Sequence, residues 1–185
     1  MGNVKFEATP LAGLTVVHPE PVEDARGRFE RVFCDRELAA LRPGLRAAQA
    51  NLSLTLGRGS LRGLHYQASP ALEAKLVRCL RGRVFDVAVD LRAGSDTFLQ
   101  WHGLELSEHN GLSLFIPEGF AHGFQVLDEE AQLLYFHSTH WSRDFESGLR
   151  HDDPAVGIRW PLPVARLSGR DRNLPILAED FRGLT

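Results

Sequence analysis

The sequence has few cysteines, no long apolar run and no dominant sign of charge, and each absence closes off a class of protein. Its only thiols are Cys34 and Cys79, too few for a disulfide framework and in keeping with a reducing cytosol, so both are expected as small core residues. No apolar stretch approaches the roughly 20 residues of a membrane span, and the N-terminus lacks a basic region followed by an apolar run. A soluble, cytoplasmic protein with no membrane partner is the expectation. Lysines and arginines number 21 against 24 aspartates and glutamates, a net charge of -3, with both signs scattered along the chain. That leaves no extended electropositive field, and no nucleic-acid partner is expected. Repeats of fixed period, low-complexity tracts and Ser- or Gly-rich linkers are also missing. Residues 1–185 therefore read as one domain, and a hydrophobic content of 43% suffices for one sizeable core.

What the sequence does have is punctuation. Its 17 glycines and 10 prolines separate short apolar runs at Leu76 to Leu80, Val84 to Leu91, Leu112 to Ile116 and Leu133 to Phe136, which predict strands. Tight turns at Arg81-Gly82-Arg83 and Glu118-Gly119 fit an all-β sandwich or barrel of the jelly-roll kind. Helix is expected to be minor. The best candidate is Asp35 to Leu41, with Asp35 as N-cap and Pro43-Gly44 as the stop, packed on the outside. From about Trp160 the chain is rich in proline and charge, which predicts an irregular tail or short helices laid over the sandwich.

One segment, from Gly111 through Pro117 and Gly119 to His122, resembles the second conserved motif of the cupin superfamily. Its logic is a strand ending in Pro117, a turn relaxed by Gly119, and a return strand that aims His122 into the barrel. The partner motif is expected to carry His-x-His, but the sequence reads His65-Tyr66-Gln67. Gln67 is a weak ligand for a transition metal, so two histidines remain where a metal site needs at least three strong ligands. No metal is expected. His65, Lys75 and His122 pointing inward from three strands suit proton transfer better than coordination. His18, His102, His109, His137, His140 and His151 show no ligand-like spacing, and most are expected at the surface; the three-residue step from His137 to His140 does not put both on one face of a strand.

The run Arg62-Gly-Leu-His65-Tyr-Gln67, followed by Lys75-Leu-Val-Arg78 and by Gly82 to Arg92, strongly resembles dTDP-4-dehydrorhamnose 3,5-epimerases. Further blocks at Ser95 to Phe98, Ile116 to Phe124, Asp152 to Pro154, Gly157 to Pro161 and Ser168 to Asp171 extend the resemblance from about Leu14 to about Pro175. It implies a cupin-type double-stranded β-helix, or jelly roll, assembled as a homodimer. The substrate it implies is a dTDP-linked 4-keto-6-deoxy sugar, epimerised at C3, C5 or both with no cofactor. Hydrogens on both carbons are α to the ketone, so removing either gives an enolate, and returning the proton from the opposite face inverts the centre. The chemistry requires a base, an acid across the ring, and a donor at the enolate oxygen. By resemblance His65 is the base, oriented by Asp171; Tyr135 is the acid; and Lys75 faces the enolate oxygen. His122 and Arg62 are neighbouring substrate contacts. Arg26 and Phe29 form a cradle for diphosphate and nucleoside that the partner subunit donates, and Gln49, Asn51, Glu146 and Arg170 are further nucleotide or sugar contacts.

The chain also departs from the family pattern. Arg31 stands where an acidic residue is usual, with Glu30 displaced by one; Ala50 stands between Gln49 and Asn51 in place of Asp, and Phe136 follows Tyr135 in place of Lys. Trp141 occupies a position close to substrate where Tyr is common. It keeps a stacking surface but adds bulk, and by restricting ring flipping it makes a monoepimerase, acting on one carbon only, an alternative reading. A keto-sugar isomerase of the same fold is a second alternative, against which Tyr135 argues, since carbonyl migration needs no acid on the far face. A non-catalytic sugar-binding cupin would have no reason to retain the proton-transfer set.

Overall fold

The structure, a computed structural model, describes residues 3–185. Among these residues the elements run β1 (Val4–Ala8), β2 (Thr15–Pro19), β3 (Val22–Asp24), β4 (Gly27–Phe29), α1 (Asp35–Leu38), β5 (Gln49–Leu56), β6 (Leu61–Gln67), β7 (Lys75–Arg81), β8 (Arg83–Asp90), β9 (Trp101–Ser107), β10 (Ser113–Ile116), β11 (Phe120–Val126), β12 (Glu130–His137), β13 (Glu146–Gly148) and α2 (Gly169–Arg172). A six-stranded sheet has the order β1-β2-β10-β7-β12-β5, a five-stranded sheet the order β13-β6-β11-β8-β9, and β3 pairs only with β4. Every strand pair is antiparallel. No helix among the described residues is long and apolar enough to cross a membrane.

The continuous apolar runs are strands with one face in the core and the other wholly or partly covered. In β8, Val84 and Ala88 enter the central core with Val77, Leu114, Leu133 and Phe124, while Val87 and Val89 face outward beneath Trp160, Leu177, Phe181 and Leu184 of the C-terminal tail. The tail is therefore an outer cover for the five-stranded sheet, as expected. In β7, Val77 and Cys79 point to the central core, and Leu76 points out into a cluster with Leu38, Leu45 and Phe115. Alternation thus decides which way each residue of the motif faces.

Two expectations need correcting. Helix α1 starts at Asp35 with Cys34 as N-cap, in extended conformation and without a side-chain cap, and regular helix stops at Leu38 rather than Leu41. The Leu38 carbonyl then accepts from both Leu41 and Arg42, a tightening turn ahead of Pro43, which disfavours helical geometry at the residue before it. The helix lies on the outside but is anchored by its buried Leu38. Of the two thiols, Cys79 is a core residue and Cys34 is only partly buried. Burial pushes the Cys79 thiol up to about 11, which keeps it protonated and inert.

Candidate active site

Along the inner faces of the strands the side chains change from apolar to polar at one end of the sandwich. In β12, Ala131 and Leu133 belong to the core, whereas Tyr135 and His137, continuing the same alternation, line a cavity of about 270 Å³. Lys75 precedes Val77 and Cys79 in the same way on β7, and Gln49, Asn51 and Ser53 line the cavity from β5. These residues form the wall given by the six-stranded sheet. The facing wall comes from the five-stranded sheet, with Arg62, His65 and Gln67 on β6 and His122 and Phe124 on β11.

Two glycines shape that second wall. His65 pairs with His122, but Arg62 pairs with Phe124, so β6 carries one residue more than β11 over this stretch. Residues three apart on a regular strand face opposite sides; the bulge brings Arg62 and His65 onto the same one. Gly63 sits in the bulge at φ +119, and a Cβ there would lie 2.6 Å from the Gly123 Cα and 2.9 Å from the His122 carbonyl oxygen. Gly119, at φ +83, makes the turn from β10 into β11, and a Cβ there would meet Arg92 Cγ at 2.4 Å. A larger residue in the turn that presents His122 would be strained by the positive φ and would have to displace the Arg92 side chain.

His65 Nε2 lies 2.7 Å from Asp171 Oδ1, and the other Asp171 oxygen accepts from the Gly63 backbone at 3.3 Å. Asp171 is held in α2, where its own N–H donates to the N-cap hydroxyl of Ser168 at 2.9 Å. Burial works to raise the Asp171 pKa, but the hydrogen bond and charge of His65, with the Gly63 N–H, outweigh it and hold the carboxyl below its usual value. With Nε2–H given to a carboxylate, the lone pair of the His65 ring resides on Nδ1. His122 is held in parallel fashion, Nε2 lying 3.0 and 2.9 Å from the two oxygens of fully buried Asp86.

On the facing wall the Tyr135 ring stands edge-on to His122, centroids 6.1 Å apart, and stacks on His137 at 5.9 Å. Its hydroxyl lies 3.4 Å from that of Ser53. Burial pushes its pKa well above the ordinary phenol range, so the group keeps its proton at neutral pH. Lys75 Nζ is 3.1 Å from Glu73 Oε1 and 3.5 Å from the His65 carbonyl oxygen. Arg62 donates from Nε to Thr55 Oγ1 at 2.8 Å, which ties β6 to β5 across the sandwich.

Gln67 has a use of its own. Its Nε2 donates to the carbonyls of Ala71 and His140, and its Oε1 accepts from the Ser142 backbone at 2.7 Å, so the amide staples two loops beside the cavity. At the mouth, Trp141 is 54% exposed, with its backbone N–H donating to Gln49 Oε1 at 2.8 Å. Glu146 lines the cavity and pairs with Arg170 at 2.9 Å.

The structure therefore brings together His65, Asp171, Lys75, Tyr135, Arg62, His122, Gln49, Asn51, Trp141 and Glu146, with Arg170 reached through Glu146. Arg26 and Phe29 are not among them. They lie on the β3–β4 hairpin, where Arg26 bonds to Asp24 and Phe29 is 64% exposed. Of the departures, Arg31 pairs with Glu37 at 2.7 Å, and Glu30 pairs with Arg78 at 2.7 Å; Phe136 packs on Phe33. Sequence reasoning missed Glu73, Asp86 and His137. His137 belongs to the group of histidines of which most were expected at the surface, yet its side chain is 12% exposed and its Nδ1 lies 2.8 Å from Glu73 Oε2. The signal was available, since His137 follows Tyr135 by two residues on one strand.

The fold and cavity define a cupin-type sandwich whose polar pocket is lined by carboxylate-backed imidazoles facing a buried phenol. The sequence model of the dTDP-4-dehydrorhamnose 3,5-epimerase family matches residues 8–179, and the chain belongs to that family, one of isomerase-class enzymes. It is 40% identical over 180 residues to a dTDP-4-dehydrorhamnose 3,5-epimerase of Sinorhizobium fredii, covering 97% of this chain and 92% of that one. It is 40% identical over 170 residues to a dTDP-4-dehydrorhamnose 3-epimerase of Streptomyces niveus, covering 91% and 82%. A crystal structure of a 3,5-epimerase from Legionella pneumophila in complex with dTDP-4-keto-L-rhamnose superposes with a TM-score of 0.89 at 38% identity, covering 94% of this chain and 93% of that one.

Proposed function

We propose that the protein epimerises a dTDP-linked 4-keto-6-deoxy sugar at C3 and C5. The observation that carries this reading is the placement of His65, backed by Asp171, on one wall of the cavity and of Tyr135 on the other. His65 Nδ1 takes the proton from a carbon α to the ketone, and the electrons of the broken C–H bond move into the enolate. The Lys75 ammonium faces the negative oxygen without the reorganisation that water would need. Tyr135 then delivers its hydroxyl proton to the opposite face of the same carbon, and the ketone re-forms with the centre inverted. The substrate's own carbonyl is the electron sink, so no step calls for a cofactor or a metal. Arg62 and His122 contact the sugar, and Gln49, Asn51, Trp141, Glu146 and Arg170 meet the nucleotide at the mouth.

A homodimer completes the site. Leu52, Leu54 and Leu56 are 58%, 51% and 55% exposed on the outer face of β5, a terminal strand with one unpaired edge. Such a face invites a second copy. The β3–β4 hairpin, paired only with itself, is the arm that carries Arg26 and Phe29 to the partner's cavity, where the guanidinium suits diphosphate and the ring suits the nucleoside. Two unpaired thiols suit a cytoplasmic setting.

A one-centre reading draws support from Trp141 at the mouth, whose bulk narrows the space for ring flipping. The same experiment tests both. With a dTDP-4-keto-6-deoxyglucose substrate in deuterated water, proton NMR is expected to show inversion and deuterium at both C3 and C5. Exchange at one carbon selects the monoepimerase, a migrated carbonyl selects an isomerase, and absence of exchange overturns the proposal.

A further inference from the structure

Three imidazoles line the cavity, each backed by a carboxylate: His65 by Asp171 at 2.7 Å, His122 by Asp86 at 2.9 Å and His137 by Glu73 at 2.8 Å. The third pair has a feature the others lack, because Glu73 is shared with a lysine. Its Oε2 takes the His137 Nδ1, while its Oε1 lies 3.1 Å from Lys75 Nζ. The β7–β12 register sets His137 directly opposite Lys75, so the three groups sit side by side on one wall. Side-chain exposure is 9% for Glu73, 9% for Lys75 and 12% for His137, which leaves little water to screen their charges.

The sharing matters for what Lys75 can do. An ammonium with a carboxylate entirely its own is a dipole, and the field of a dipole at an oxygen a few ångströms off falls faster than that of a single charge. Glu73 is ionised: burial pushes its carboxyl up, but the His137 hydrogen bond and the Lys75 charge outweigh burial and bring it below the usual value. Lys75 with Glu73 alone sums to zero. An Nδ1–H donated by His137 to Oε2 draws part of the carboxylate's negative charge away from the oxygen beside Lys75, on the wall where the enolate oxygen is proposed to form. His137 is held on both sides, stacked on Tyr135 at 5.9 Å with its Nε2 accepting from Asn51 Nδ2 at 3.4 Å, so that Nδ1 carries the proton given to Glu73.

We propose, resting on the epimerase reading, that His137 is a positioning residue that draws the charge of Glu73 to itself and so leaves the Lys75 ammonium free to act on the enolate oxygen. The test compares the full chain carrying His137→Asn with the double variant Glu73→Gln/His137→Asn. Removing the imidazole alone leaves Glu73 to neutralise Lys75, and kcat is expected to fall about tenfold with KM within about twofold. Removing the carboxylate as well restores the positive charge, and kcat is expected to return to within about threefold of the parent. A purely structural role predicts the reverse, a double variant at least as impaired as the single one. That result, or a His137→Asn variant with parental kcat, overturns the inference. Thermal melting and dTDP binding check that each variant is folded, and His137→Ser replaces His137→Asn if the latter is not. Deuterium exchange by the parent separates the two readings: no exchange refutes the epimerase assignment, whereas exchange without rescue refutes only the role of His137.

Discussion

At the scale of single residues, the pairing of His65 with Asp171 fixes which ring nitrogen holds a proton. The carboxylate accepts Nε2–H, so Nδ1 keeps the lone pair that the proposed base uses. Replacing Asp171 with Asn turns an obligate acceptor into a group whose NH2 can face Nε2, which moves the imidazole proton to Nδ1 and blocks it. For Asp171→Asn we expect kcat to drop about 10²-fold or more with little change in dTDP affinity, and for His65→Ala solvent exchange at the sugar carbons to fall by about 10²- to 10⁴-fold. Stopped exchange assays with dTDP titrations check both; retained exchange in His65→Ala removes that residue from the base role. The pH sign follows from the same pair. The Asp171 carboxyl is held below the ordinary aspartate value of 3.8, so its contribution to stability is present above about pH 4 and is lost as the solution is acidified through the folded-state value.

At the scale of elements, the bulge in β6 deserves its own test, because it alone puts Arg62 and His65 on one face. Gly63→Ala places a methyl group 2.6 Å from the Gly123 backbone at a positive φ. The variant is expected to lose roughly 2 kcal/mol or more of stability and, where it still folds, most of its kcat, as read by thermal melting and turnover. Near-parental values for both would show that β6 holds its register without the glycine. How much of these elements is legible in the chain depends on burial. Strands β7, β8 and β12 have apolar runs because one face enters the core while the other is covered, fully in β8 and partly in β7 and β12, and they stand out. Strand β5 does not, because its cavity face is Gln49, Asn51 and Ser53 and its leucines face outward, so its alternation reads as polar sequence with scattered leucines. The bulge is invisible for a related reason: it depends on a close approach between Gly63 and Gly123, which are 60 residues apart in sequence and meet only once β6 and β11 pair. The family blocks point to His65, Lys75 and Asp171, and Tyr135 lies at a family position, and the structure brings all four to the cavity; His137 and Glu73 belong to no such block, His137 being readable only from the alternation beyond Tyr135 and Glu73, in the loop before β7, not at all.

At the scale of the whole molecule, the proposed homodimer rests on the outer face of β5 and on the hairpin arm. The mass in solution is expected to be twice the 20.6 kDa of the chain, about 41 kDa by light scattering. Leu54→Glu places a charge in the middle of the leucine stripe and is expected to shift the protein toward monomer and, because the arm then serves no neighbour, to raise KM for the dTDP sugar about tenfold or more. A monomeric parent with full activity would end this account of the assembly. The two walls of the cavity belong to different layers, and the apolar side chains packed beneath it act as the spacer between the proposed base and acid. Anything that prises the layers apart, such as hydrostatic pressure or a trace of urea, therefore silences turnover while each ladder of backbone bonds is still intact, and loss of activity should precede loss of the β-sheet spectrum.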